Sequence, residues 1–125
     1  MTNEDNIYTI SYIVDIYNGH DYVEIGGLKW ATMNVGANSI TDIGFYFQWA
    51  DTQGYTAAQV GTDKNFSWTD YKYTNDDGTT MSKYNSTDGK TTLEAEDDAL
   101  AANWGGSWRI PTIEEFSALG NATNT

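Results

Sequence analysis

Between Asn103 and Phe116 the chain reads NWGGSWRIPTIEEF, gathering adjacent glycines, two of its five tryptophans, its single proline and its single arginine. A helix stop and a helix start lie a few residues apart in this stretch. Upstream, in LEAEDDALAANWGG, the acids Glu94, Glu96, Asp97 and Asp98 crowd the end where a helix dipole favours negative charge, Leu100 and Trp104 share a face, and Gly105 supplies the stop. Downstream, Thr112 with Glu115 forms a capping box, Pro111 and Phe116 suit a hydrophobic staple, and Gly120 is the expected end. The expectation is two short helical rods joined by a tight link. The glycine pair would let backbones approach closely, and Arg109 would pair with a carboxylate or cap a carbonyl.

The remainder of the chain reads as sheet and loop. From Ile7 to Tyr17 the even positions Tyr8, Ile10, Tyr12, Val14 and Ile16 are apolar, which places them on one sheet face. Asn18-Gly19 is a type I′ hairpin turn, and His20 to Ile25 resumes an extended pattern. Gly26-Gly27 interrupts it before Leu28 and Trp30 alternate with Lys29 and Ala31. The cluster FYFQWA, Phe45 to Ala50, fits a buried strand or a short helical turn equally well. Asp51 to Thr92 is a polar excursion punctuated by turn residues and pinned by Phe66, Trp68, Tyr71, Tyr73 and Tyr84, a spacing that argues for order in a functional loop. The fold class expected is α+β.

At 125 residues the chain has one domain's worth of sequence, and its eighteen aromatics can supply a core. Eighteen acidic residues against six basic ones give a formal charge of -12, which opposes binding to nucleic acid. The absence of cysteine removes disulfides, thiolate nucleophiles and sulfur-built zinc sites. The opening MTNEDNIYTI has neither a basic region nor a long apolar run, so neither a secretory signal nor membrane insertion is expected, and release into cytoplasm is.

Three segments, YVEIGGLKWATMNVGA, GFYFQWADT and KYNSTDGKTTLEAEDDALAANWGGSWRIPTIEEF, resemble the Fibrobacter succinogenes major paralogous domain in order, from about residue 19 to the last. More remotely, the chain is similar to the formylglycine-generating enzyme and C-type lectin superfamily, whose shared Arg-Leu-Pro-Thr signature corresponds to Arg109-Ile110-Pro111-Thr112. The resemblance implies a partial C-type-lectin-like fold, with a hairpin, short strands, long loops and two short helices. Residues 1–18 would be an extension strand and 19–125 the lectin-like domain, lacking the carboxy-terminal strands that follow the second helix in the family. Such domains occur in adhesins, lipoproteins and phage receptor-binding proteins. The binding residues of lectin-like relatives lie in that further half, so none carries over.

Function is therefore expected from the aromatics. Trp30, Trp49, Trp104 and Trp108 stand in apolar or family-core contexts and read as structural, whereas Trp68, Tyr71, Tyr73 and Tyr84 sit where flat rings stack on sugars or anchor a protein partner. Asp76, Asp77 and Asp88 offer oxygens that suit calcium, but their spacing does not fit an EF-hand loop, and no cofactor is expected. His20 follows a turn with no triad pattern around it, and the acids from Glu94 to Asp98 read as helix-start residues rather than a glycosidase pair. The formylglycine reaction needs cysteines that are missing. The expectation is a non-enzymatic recognition module for a bacterial surface glycan or protein, carried by a phage tail or head fibre as a homo-oligomer or within a larger virion assembly. The alternatives are a structural or decoration protein assembled through the amino-terminal strand, and a fragment of a bacterial surface adhesin.

Overall fold

The computed structural model describes residues 13–123. Its elements are three strands, β1 (Asp15–Tyr17), β2 (His20–Ile25) and β3 (Leu28–Ala31), and two helices, α1 (Ala99–Trp104) and α2 (Ile113–Thr123). The architecture is thus mixed α+β, with a small antiparallel sheet in the order β1-β2-β3. Both hairpins turn on two residues. Asn18 (φ 48°) and Gly19 (φ 83°) take the positive angles a type I′ turn needs, and they set the register that pairs Tyr17 with His20.

The expected strand from Ile7 lies in part outside the described residues. Within them, strand begins only at Asp15, and the apolar even positions point away from the body: Val14 and Ile16 are exposed. The side chain that packs inward is Tyr17, because the Asn18-Gly19 turn docks on the link between the helices. Trp108 Nε1 donates to the Tyr17 carbonyl at 3.1 Å, the backbone N–H of Ser107 donates to the Tyr17 hydroxyl at 2.9 Å, and the Asn18 amide donates to the Trp104 carbonyl. Gly106 makes this approach possible. A Cβ there would lie 2.6 Å from the Tyr17 hydroxyl, and its φ of 59° disfavours any other residue. Around the same joint His20 stacks on Trp104 at 3.8 Å, and Trp104 meets Trp108 edge to face at 5.2 Å.

The second helix starts as its sequence dictates. Thr112 Oγ1 accepts from the Glu115 N–H at 3.1 Å, and Glu115 Oε1 accepts from the Thr112 N–H at 2.8 Å, which closes the capping box. The same carboxylate receives the Arg109 fork, at 2.8 and 2.6 Å. Helix α2 does not end at Gly120 as expected but runs on to Thr123, since glycine weakens a helix interior without clashing and no proline follows. Its Phe116 meets Trp30 of β3 edge to face at 6.2 Å.

FYFQWA is neither strand nor helix. Tyr46 and Tyr55 exchange backbone hydrogen bonds at 2.7 and 2.9 Å, while Phe45 N–H donates to the Val35 carbonyl, so the segment is tied by isolated bridges. Among the described residues the buried apolar set is Val35, Ala50, Tyr71, Ala99 and Trp108, a thin core for so aromatic a chain. No helix is long and apolar enough to cross a membrane among the described residues. Between β3, the segment from Met33 to Phe47 and the helix joint lies an apolar cleft of about 600 Å³.

Candidate functional site

The acids before α1 divide into two roles that their sequence does not distinguish. Asp98 caps the helix as expected, its Oδ1 accepting from Leu100 N–H at 2.9 Å and Ala101 N–H at 3.0 Å. Its Oδ2 takes the Ile110 N–H at 2.8 Å and so ties the two helices together. Asp97 is no part of the helix start. It closes a 3₁₀ turn, Ala95–Asp97, and points inward with 2% of its surface exposed.

Four donors converge on that buried carboxylate. Oδ1 receives Lys72 Nζ at 3.2 Å and the Tyr73 hydroxyl; Oδ2 receives Lys83 Nζ at 2.6 Å and the Tyr84 hydroxyl at 2.7 Å. Burial alone would push the Asp97 carboxyl up, but the bonds from Lys83, Tyr73, Tyr84 and Lys72 outweigh it and hold the group well below the usual carboxylate range. Burial and the Asp97 bond push the Tyr73 hydroxyl up to about 12 and raise that of Tyr84. Lys83 uses its three protons on Asp97, Glu94 and Glu96, the latter two at 2.9 Å, which raises its own pKa. Among the described residues, Glu94, Glu96 and Asp97 are the one group of three carboxylates close enough to share a metal ion, and the Lys83 ammonium bonds all three.

The four aromatics picked out by the sequence form one ladder around this hub. Trp68 stacks on Tyr71 with centroids 5.9 Å apart and planes 20° from parallel; Tyr71 meets Tyr73 edge to face at 5.9 Å, and Tyr73 meets Tyr84 likewise at 6.0 Å. Trp49 adds a rung against Tyr84 at 4.9 Å. The members are not equally presented. Tyr71 is buried and its hydroxyl donates to the Trp49 carbonyl at 2.7 Å, whereas Tyr73 and Tyr84 are half-buried with their hydroxyls on Asp97. Trp68 is 44% exposed and Trp49 52% exposed, so these two offer ring surface to solvent. In sequence, apolar neighbours place Trp49 among the structural tryptophans, and acidic neighbours place Asp97 among the helix-start residues. One signal was present: Lys72 and Lys83, rare cations in this chain, each precede a ladder tyrosine.

Of the candidate calcium ligands Asp76, Asp77 and Asp88, the last two are engaged locally. Asp77 accepts from the Thr79 and Thr80 N–H groups and the Thr80 hydroxyl, with the Thr80 hydroxyl foremost in drawing its carboxyl down to about 2. Asp88 accepts from the backbone of Tyr84, Asn85 and Lys90. These bonds fold the loops that present the ladder. Tyr84, at φ 58°, adopts a left-handed conformation uncommon for a bulky residue, fixed by its hydroxyl on Asp97 and its N–H on Asp88. No protein-family model matches the chain, and neither the curated proteins nor the solved structures yield a match.

Proposed function

We propose that this chain is a non-enzymatic recognition module of C-type-lectin-like fold, binding a bacterial surface glycan or protein from a phage fibre or similar virion appendage. The observation that carries the reading is the aromatic ladder anchored on Asp97, which holds an excursion without long elements in one shape and leaves Trp68 and Trp49 facing solvent. A flat ring held in place stacks on a sugar face or fills a partner's pocket with little ordering cost. The order of sheet, excursion, helix, link and helix supports the lectin-like assignment. The occupied state of Glu94, Glu96, Asp97 and Asp98, and the packing of His20 on Trp104, support binding over catalysis.

The test is binding of the labelled chain to whole bacterial cells and to a glycan array. Trp68→Ala is expected to weaken binding about tenfold or more. Its melting temperature should stay within about 4 °C of the parent, because Trp68 is half exposed. Binding that survives Trp68→Ala and Trp49→Ala together would remove the site. A second reading, a structural or decoration protein of a virion or filament, draws on Ile13, Val14 and Ile16, which are 89%, 55% and 66% exposed on the amino-terminal strand and its approach. Sedimentation separates the two: assembly lost on Ile16→Asp favours the structural role.

A further inference from the structure

The apolar cleft shares no lining residue with the aromatic ladder, and it borders an open sheet edge. In the β2–β3 pair the backbone N–H of Thr32 donates to Asp21, so the hydrogen-bonded pairs alternate as Asp21 with Thr32, Val23 with Trp30 and Ile25 with Leu28. Lys29 and Ala31 therefore turn their N–H and C=O groups away from β2. Among the described residues these groups have no partner. The strand that carries them also lines the cleft through Leu28, Trp30 and Ala31, opposite Phe45, Phe47 and Phe116.

We propose that this edge and cleft receive an extended strand from another polypeptide, apolar at alternate positions. The backbone geometry selects the form of the occupant: unpaired amides two residues apart match a β-strand, and the apolar cleft takes the side chains on one of its faces. A sugar would leave its own hydroxyls without hydrogen-bond partners against those aromatic and aliphatic walls. Charge selects further. Among the described residues Glu115 is the one carboxylate that lines the cleft, and it is paired with Arg109. Lys29 is the remaining charge there, its ammonium 5.4 Å from the Tyr22 ring and 5.7 Å from the Tyr17 ring; Glu24 stands opposite it across the β2–β3 ladder, but Lys29 forms no ion pair among the described residues. The occupant thus carries an acidic residue beside Lys29 and is otherwise uncharged. A second copy would bring its own charge of -12 against the same charge, which disfavours self-pairing.

The experiment uses the purified chain and a fluorescein-labelled peptide of about nine residues, alternating threonine and valine with one glutamate replacing a threonine. Saturable fluorescence anisotropy is expected. Ala31→Pro should weaken it about tenfold or more. That change deletes an outward-facing N–H and leaves the β2–β3 ladder intact, because proline is tolerated at a sheet edge. A peptide N-methylated at alternate amides on one edge should lose binding to the unaltered protein, which decides the matter even where Ala31→Pro fails to fold. Replacing the glutamate by lysine should also weaken binding. The proposal is overturned by no saturable signal, by binding that N-methylation leaves unchanged, or by sedimentation showing a dimer of the chain that Ala31→Pro dissociates.

Discussion

Replacing Asp97 by asparagine tests the hub with almost no change of shape. The two carboxylate oxygens each face two donors, Lys72 and Tyr73 on one side, Lys83 and Tyr84 on the other. An amide has one acceptor oxygen, so in either orientation its NH₂ meets a pair of donors. The better orientation keeps the oxygen on Lys83 and Tyr84 and frees Lys72, which is 36% exposed, to move into water. Loss of one partner from a buried ion pair costs about 3–5 kcal/mol. For 125 residues the unfolding entropy is about 0.26 kcal/mol/K, so the melting temperature should drop by about 12–19 °C, measured by circular dichroism at pH 7. The pH dependence supplies the sign. Asp97 is held below its unfolded value of about 3.9, so its contribution is full above that value and disappears as pH falls through the lower folded value. The gap between parent and variant should accordingly be constant above about pH 5 and narrow below it. A drop under about 4 °C at pH 7, or a gap that persists unchanged at low pH, would refute the hub.

Thr112→Ala removes the hydroxyl that accepts the Glu115 N–H and should lower stability by about 1 kcal/mol, or about 4 °C, in the same melting assay. Gly106→Ala places a methyl against the Tyr17 hydroxyl at a positive φ; it should lower the melting temperature, and Tyr17→Phe in the same chain should restore part of the loss by removing the clashing oxygen. The Glu115 carboxyl, drawn down to about 2 by Arg109 and the Thr112 N–H, should titrate upwards by NMR in Arg109→Leu.

The helix joint was legible because its determinants are local. The capping box, the glycine pair and the Asn18-Gly19 turn each act over a few residues, and each stands in the structure as read, with Thr112 capping α2 and Trp108 buried. Gly120 misplaces the end of α2, because a glycine ends a helix only when the chain beyond it turns away. Of the amino-terminal run, residues 7–12 lie outside the described residues, and Ile13 and Val14 are not strand. Asp15–Tyr17 is the part of the amino-terminal run that pairs with β2 within the described residues. What the pattern could not give was the docking of the first hairpin on the helix link, which reverses the face of β1 that packs inward.

The site was half legible for the same physical reason. Large rings in a polar excursion must find one another to escape water, so Trp68, Tyr71, Tyr73 and Tyr84 form a ladder, where their spacing in sequence argues only for an ordered excursion. The hydroxyls of three of them also need partners once the rings are packed, and nothing in the spacing says which group will supply one. Asp97 and Asp98 are adjacent and chemically identical, yet one caps α1 and the other is buried with four donors. A helix N-cap points one carboxylate along the helix axis, so its neighbour in the preceding turn must leave by a different side, and here that side faces the tyrosines. Lys83 then resolves the excess of acid by bonding Glu94, Glu96 and Asp97 together. The cations of this chain are few, and Lys72 and Lys83 sit where they neutralise the charge that the packing of rings forced inside. Reading such a site from sequence therefore means asking which tyrosine hydroxyls will be buried, and which acid lies one residue before a helix cap.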